Sequence, residues 1–162
     1  MFVAADGTNY ETANSYASVS YANDYFSLRL NSAWTGSDSV KQAALIKATD
    51  YIEQTYSQRF IGVIGNLPQL LSWPRYVPYA PIESDEIPEG VKKATCELAL
   101  EALTGNLNPV IDRSVQKRIK KIDVIEYEYS EGDTQTPLRP AVIGYLQPLL
   151  KGSGFNRNVV RV

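Results

Sequence analysis

The sequence predicts a mainly α-helical fold: a small bundle of three to four helices with a long proline-rich loop, an extended β strand or hairpin element and an extended C-terminal arm. Residues 39–56 and 88–105 place apolar side chains at the three- and four-residue spacing of one helix face. Residues 57–87 lose that spacing and contain four of the nine prolines. Residues 125–129 alternate between apolar and acidic side chains, as a half-buried strand does.

The predicted bundle begins and ends with shorter helices. Ser18 is a favourable N-cap for a helix that continues to about Leu30. The longest predicted helix has the clearest apolar face, which is formed by Leu45, Ala48, Ile52 and Tyr56. The third helix starts near Pro88 and ends at Gly105, residue types that suit these two positions. A short helix or turn follows at residues 141–150.

We predict one helical domain at residues 1–151, into which a loop at 57–87 and a strand region at 113–131 are inserted. An arm follows at residues 152–162. A chain of 162 residues is long enough for a single core. The segment Met1–Ala5 has no basic residues, and no window approaches the roughly 20 apolar residues of a membrane span. We therefore expect neither a signal peptide nor a contact with membranes.

The composition narrows the classes of function. A net charge of −2 and a pI near 5.2 do not favour a protein that coats nucleic acid through its overall charge. The chain has no histidine and a single cysteine, Cys96, which we expect to be buried in the core. A Ser-His-Asp triad, a Cys-His dyad and a Cys/His zinc site therefore cannot form within one chain. We expect no enzymatic activity, no cofactor and no bound metal.

One acidic cluster comes nearest to a catalytic or metal-binding pattern. Its members precede or begin the third predicted helix and are Glu83, Asp85, Glu86 and Glu89. Acids on a connecting segment have no fixed separation, and no spaced ligand pattern such as an EF-hand accompanies them. We interpret the cluster as part of a solvated loop.

We predict that Trp73 anchors the proline-rich loop. Burying an indole ring removes about 150–250 Å² of surface from water, which is worth at most about 4–6 kcal/mol. This gain can offset the ordering of several loop residues, and Pro74 stiffens the chain directly after the ring. A plug inside the molecule is favoured over a ligand-stacking role. For Arg75, an internal ion pair and a contact to a neighbouring subunit remain open alternatives.

Residues 113–131 combine a basic run with the alternating stretch. The basic side chains of the run are Arg113, Lys117, Arg118, Lys120 and Lys121. Tyr127 and Tyr129 then alternate with glutamates, which predicts a half-buried strand. The run suits DNA phosphates, an acidic protein surface or plain solvation, and the sequence leaves these alternatives open.

The C-terminal arm begins with Gly-Ser-Gly and ends with Val-Val-Arg-Val. Its eleven residues reach roughly 36 Å when fully extended, whereas a globule of this length has a radius of gyration near 15 Å. The arm can therefore reach another molecule, and its closing valines favour strand addition to a partner over simple fraying. The arm residues that we expect at an interface are Phe155, Arg157, Val159, Val160, Arg161 and Val162.

Four stretches occur in the same order as in a family of tailed-bacteriophage proteins: "DGTNYETANSYASVSYANDYF", "KQAALIKATDYIE", "LPQLLSWPR" and "DEIPEGVKKATCELALEAL". From Asp6 to about Leu150 the chain resembles head–tail adaptor (connector) subunits, and relatives are often labelled DnaT-like single-stranded-DNA-binding proteins. One departure lies at residues 58–62, where relatives often place a second aromatic-glycine signature that Phe60 and Gly62 preserve only loosely.

The resemblance implies a mainly helical subunit of a ring, usually a dodecamer, in the neck of the virion. Such rings assemble in the host cytoplasm, dock beneath the portal protein, carry tail or nozzle proteins and contact the genomic double-stranded DNA transiently as it passes. The resemblance also implies that Trp73 and Pro74 fix the loop so that three residues face a neighbouring subunit or the portal, namely Arg75, Tyr76 and Tyr79.

The label of the relatives supplies an alternative of another class. A single-stranded-DNA-binding protein would use the basic run at residues 113–121 for phosphates, with Tyr127 and Tyr129 as stacking groups. The glutamates between these tyrosines repel phosphate and count against this alternative.

Overall fold

The computed structural model describes residues 1–65, 67–78, 81–108 and 139–152, which form a mainly helical structure as predicted. These ranges contain four helices: α1 (Val19–Ser27), α2 (Asp38–Tyr56), α3 (Glu89–Thr104) and α4 (Pro140–Leu146). Short 3-10 turns follow α2 at Ser57–Arg59 and α4 at Gln147–Leu149. Within the described ranges, residues in extended conformation pair only as isolated bridges. None of the described helices has the length and apolar character that a membrane crossing requires.

The α2–α3 pair forms the centre of the bundle. Helix α4 packs on α3, and α1 rests against both α2 and α3. Leu45 and Ile52 of α2 meet a core that includes Val91 and Leu98 of α3, all of them fully buried. Gly90 permits the close approach of α4, because a Cβ atom there would overlap the carbonyl oxygen of Tyr145.

Helix α1 is shorter than the sequence predicted. It ends at Ser27 rather than near Leu30, which has a φ angle of 51° and so lies in the left-handed region that stops a right-handed helix. Ser18 caps the other end as predicted, since its side chain accepts a hydrogen bond from the backbone N–H of Tyr21. The helix therefore spans little more than two turns, with Ala22 and Phe26 in the core.

The segment between α2 and α3, residues 60–88, is called the α2–α3 connection below. Its described residues contain no helix. Phe60 forms an antiparallel bridge with Leu150, and Val63 forms another with Tyr76. The chain thus folds back on itself between Val63 and Tyr76. The connection has a first limb, which contains Phe60–Val63, and a second limb, which contains Trp73–Tyr76. The C-terminal end of the described chain lies beside the first limb.

Several predicted features lie outside the described residues. They are Tyr79, the strand region at 113–131 with its basic run and tyrosines, and the arm residues Phe155, Arg157, Val159, Val160, Arg161 and Val162. The structure describes the arm only as far as Gly152.

Candidate interaction surface

Glu53 of α2 joins three parts of the chain through one carboxylate. Its Oε1 accepts a hydrogen bond from the backbone N–H of Ser72 at 3.0 Å and another from the hydroxyl of Tyr16, and its Oε2 accepts from Ser72 Oγ at 2.6 Å. The Tyr16 oxygen in turn accepts from the backbone N–H of Trp73 at 3.2 Å. Burial, and next the Glu53 carboxylate, raise the pKa of Tyr16 well above its ordinary value. The connection is therefore fixed to α2 and to the N-terminal segment.

Trp73 lies at the centre of this attachment. Its side chain is 1% exposed, and its ring meets Phe60 edge-on with centroids 5.6 Å apart. Pro74 is also fully buried, behind a cis peptide bond. The indole Nε1 has no hydrogen-bond partner among the described residues, so the ring contributes by packing.

Arg75 points inwards and holds the two limbs of the connection together. Its Nε donates to the carbonyl oxygen of Ile61 at 2.8 Å, and its Nη2 donates to that of Gly62 at 2.9 Å. A longer bond joins Nη1 to the carbonyl oxygen of Ser72 at 3.3 Å. The residue is 8% exposed, and burial lowers the pKa of its guanidinium group. Within the described residues, backbone carbonyls rather than a carboxylate bind the charge, so the internal ion pair is not formed there. The contact to a neighbouring subunit stays a prediction.

The exposed large side chains of residues 63–76 in the connection are apolar. Five large side chains there are between 42% and 87% exposed: Val63, Ile64, Leu67, Leu70 and Tyr76. We call these five residues the apolar patch. Val63 and Tyr76 exchange two backbone hydrogen bonds of 2.9 Å, so their side chains stand next to each other on one face. Monomeric proteins rarely expose many apolar side chains on one fixed segment, and such a surface usually contacts another molecule.

The apolar patch is electrically neutral. No charged residue occurs between Ile61 and Pro74, and the charge of Arg75 is buried. The acid bonded to this run, Glu53, binds Ser72 on the buried side of the connection. The surface therefore suits an apolar partner segment better than a nucleic acid backbone.

Four described cations lie over aromatic rings: Arg29 over Tyr25 at 3.6 Å, Lys41 over Trp34 at 5.5 Å, Arg59 over Tyr56 at 5.7 Å and Arg139 over Tyr51 at 4.7 Å. These four rings are buried. They do not offer flat, exposed platforms on which a base could stack.

The remaining predicted groups have simple environments. The side chains of the acidic cluster are exposed, and the described residues bring no three potential metal ligands together. Cys96 is buried, and burial raises its pKa to about 12. Tyr76, expected at an interface, is 55% exposed within the apolar patch.

Sequence reasoning missed the roles of Glu53 and Tyr16 and the other four residues of the apolar patch. The hydrogen bonds of Glu53 join residues far apart along the chain, and no local pattern signals them. A signal for the patch exists, since the run from Ile61 to Pro74 lacks any charge.

The whole chain, residues 1–162, matches the model of the family described as "Putative DnaT-like ssDNA binding protein". The chain belongs to this family. No curated protein and no solved structure matches it. Membership agrees with the label that the sequence resemblance gave for relatives of the chain.

Proposed function

We propose that the chain is a structural head–tail adaptor subunit of a tailed-phage virion. Copies of it form a ring, a dodecamer by resemblance, that docks under the portal protein, continues the DNA channel and provides the surface on which tail or nozzle proteins assemble. Genomic double-stranded DNA touches the channel only transiently. In this proposal the protein has a structural role, and it lies in the neck of the virion.

The observation that carries this proposal is the apolar patch on a fixed segment. A flexible loop would lose conformational entropy on binding, whereas a segment already held by Glu53, Trp73 and Arg75 loses little. Exposed Leu67 and Leu70 then supply apolar area for a contact. Such preorganisation suits a subunit that must fit repeated neighbours in a closed assembly.

In this proposal, Trp73 and Pro74 shape the proline-rich loop, and Tyr76 belongs to the surface that meets a neighbour or the portal. Arg75 acts from inside by holding that surface in place. The strand region at residues 113–131 and the C-terminal arm extend the contacts beyond the helical bundle.

Native mass spectrometry of the chain with the purified portal protein of the same virus tests the proposal. We expect ring-sized complexes for the unaltered chain. The double variant Leu67→Ser/Leu70→Ser should assemble at least about tenfold more weakly, because two exposed leucines no longer bury their surface. The matched control Leu28→Ser/Leu30→Ser changes two leucines just after α1 that are 82% and 92% exposed, and it should assemble normally. A chain that stays monomeric beside the portal would contradict the adaptor proposal.

The family description favours one second candidate, a single-stranded-DNA-binding protein. The basic run Arg113–Lys121 would contact phosphates, and Tyr127 and Tyr129 would stack on bases. Fluorescence anisotropy of a labelled oligonucleotide at increasing salt tests this candidate, because phosphate contacts give a steep loss of affinity with salt. Salt-dependent binding that is lost in Lys117→Gln/Lys120→Gln supports it, and the absence of binding at low salt excludes it.

A further inference from the structure

The C-terminal end of the described chain lies beside the start of the α2–α3 connection. The N–H of Ile61 donates to the carbonyl oxygen of Leu149 at 2.9 Å, and the N–H of Lys151 donates to that of Arg59 at 2.7 Å. These bonds flank the antiparallel bridge between Phe60 and Leu150. The arm therefore leaves the bundle only a few residues from Val63, at one end of the apolar patch.

At Lys151 the described chain runs away from the patch of its own copy. In an antiparallel pair, each further residue on one strand moves back along the other. Beyond Lys151 the chain thus advances from Ile61 past Arg59 towards the end of α2, whereas the apolar patch begins on the opposite side, at Val63. An arm that continued in this direction would move away from the patch of its own copy.

The arm also has the length and the chemistry to cover the patch of another copy. Residues 153–162, fully extended, reach roughly 33 Å, about twice the radius of gyration of a domain of this size. Their apolar members are Phe155, Val159, Val160 and Val162. Two arginines and no acidic side chain accompany them, and the run from Ile61 to Pro74 that carries most of the patch has no charge that would repel them.

We propose that the arm of one copy, residues 153–162, binds the apolar patch of a second copy of the chain. Because every copy has one arm and one patch at adjacent positions, the contact is head-to-tail and repeats from copy to copy. The apolar side chains of the arm cover Val63 and Tyr76, and its backbone can extend the bridge between these two residues. This inference rests on the proposed function in requiring neighbouring copies, but it does not require the portal.

Cross-linking between two cysteine variants tests this contact directly. One chain carries Val63→Cys, and the other, labelled with ¹⁵N, carries Val160→Cys; a short bis-maleimide joins thiols that lie close together. The native Cys96 is buried and should not react. We expect cross-linked pairs of one light and one heavy chain, at concentrations where the matched control Val40→Cys, an exposed apolar position on α2, gives none.

Two outcomes overturn the proposal. One is a cross-link within a single chain of the double variant Val63→Cys/Val160→Cys, which would mean that the arm covers its own patch. The other is a mixed-pair yield no higher than that of the Val40→Cys control at every concentration.

Substitutions in the arm give an independent measurement by analytical ultracentrifugation. Val160→Ser/Val162→Ser should weaken self-association at least about tenfold, because it removes two buried apolar side chains from the contact. Asn156→Ser/Asn158→Ser in the same arm should leave it unchanged. Equal association of both variants would contradict the inference.

The two proposals fail separately. Rings on the portal without cross-links between arm and patch would overturn this inference and leave the adaptor function standing. Cross-linked copies that do not dock on the portal would support this inference and overturn the adaptor function.

Discussion

The α2–α3 helix pair and the connection between the same two helices are stabilised by different interactions. In the pair, apolar side chains such as Ala48 and Ala94 are fully buried, and the helices satisfy their own backbone hydrogen bonds. In the connection, Glu53 and Arg75 bind backbone groups that have no helical partner, among them those of Ser72. Stability in the pair is spread over many contacts, whereas in the connection it depends on a few side chains.

The connection itself has two unlike sides. Its inner side, residues 71–75, is buried, while most of residues 63–70 and Tyr76 are exposed. Substitutions on the inner side should therefore change folding, and substitutions on the outer side should change assembly alone. The following substitutions test that division.

We expect the largest effect from Trp73→Ala. Removing a buried indole leaves a cavity next to Phe60 and should lower the free energy of unfolding by about 3–5 kcal/mol. Trp73→Phe should cost much less, because the indole N–H makes no hydrogen bond with described residues. Urea denaturation measures both. An unchanged midpoint for Trp73→Ala would show that the ring does not anchor the connection.

Glu53→Gln should have the next largest effect. The amide has one acceptor oxygen and no charge, so the hydrogen bonds that the carboxylate accepts from Ser72 and Tyr16 weaken or rearrange, at about 1–3 kcal/mol. Asp50→Asn, one turn earlier on the exposed face of α2, is the control and should leave the urea midpoint unchanged or slightly raised. Equal effects of the two substitutions would contradict the role of Glu53.

Gly62→Ala should destabilise the fold by about 1–3 kcal/mol. Gly62 has a φ angle of 72°, and a Cβ atom there would overlap the carbonyl oxygen of Tyr76. Gly65→Ala, at a position with no atom within 4 Å, should be neutral or slightly stabilising. Thermal unfolding compares the pair, and similar melting temperatures would show that the two limbs are not tightly packed.

Alkaline pH should destabilise both the α2–α3 pair and the attachment of the connection, and the two losses should begin at different pH values. Burial raises the pKa of Cys96 in α3 from 9.0 to about 12, and burial with the Glu53 carboxylate raises that of Tyr16 above 10.0. Each group holds its proton more tightly in the folded chain, so its contribution is complete below the unfolded pKa and is lost as pH rises, by up to about 1.4 kcal/mol per pH unit.

Urea titrations between pH 8 and pH 11 separate the two groups. Cys96→Ser should remove the loss of stability that begins near pH 9, and Tyr16→Phe should reduce the further loss that begins near pH 10. Tyr21, Tyr25 and Tyr56, whose pKa values burial also raises, supply the rest of that further loss. If the free energy of unfolding of both variants falls with pH as steeply as that of the unaltered chain, these assignments are wrong.

Leu67→Ser should have the smallest effect on folding. The side chain is 87% exposed, and the change should stay within about 0.5 kcal/mol of the original stability. Its effect on assembly with the portal should be much larger. A marked drop in melting temperature would mean that the outer side of the connection also supports the fold.

The sequence predicted the parts of the fold that depend on local patterns. The helices α2 and α3 begin and end within one residue of their predicted bounds, since a regular apolar face such as that of Leu45 and Ile52 follows from helix geometry alone. The burial of Cys96 was expected on the same grounds. The early end of α1 was not predicted, because it depends on the left-handed conformation of Leu30.

The candidate site was less predictable because its geometry depends on contacts between distant residues. Trp73 was found by its unusual place among prolines, but the inward orientation of Arg75 follows from carbonyl groups on the opposite limb. Nothing near Glu53 in the sequence indicates that its carboxylate binds Ser72. The expected strand and basic run lie outside the described residues and stay predictions.

The bridge between Phe60 and Leu150 has a consequence for biosynthesis. Leu149, Leu150 and Lys151 are made almost ninety residues after the limb that they hold, from which the apolar patch projects. A nascent chain can form the α2–α3 pair well before it can complete that limb. The limb that carries the apolar patch is therefore completed only after α4 has been made.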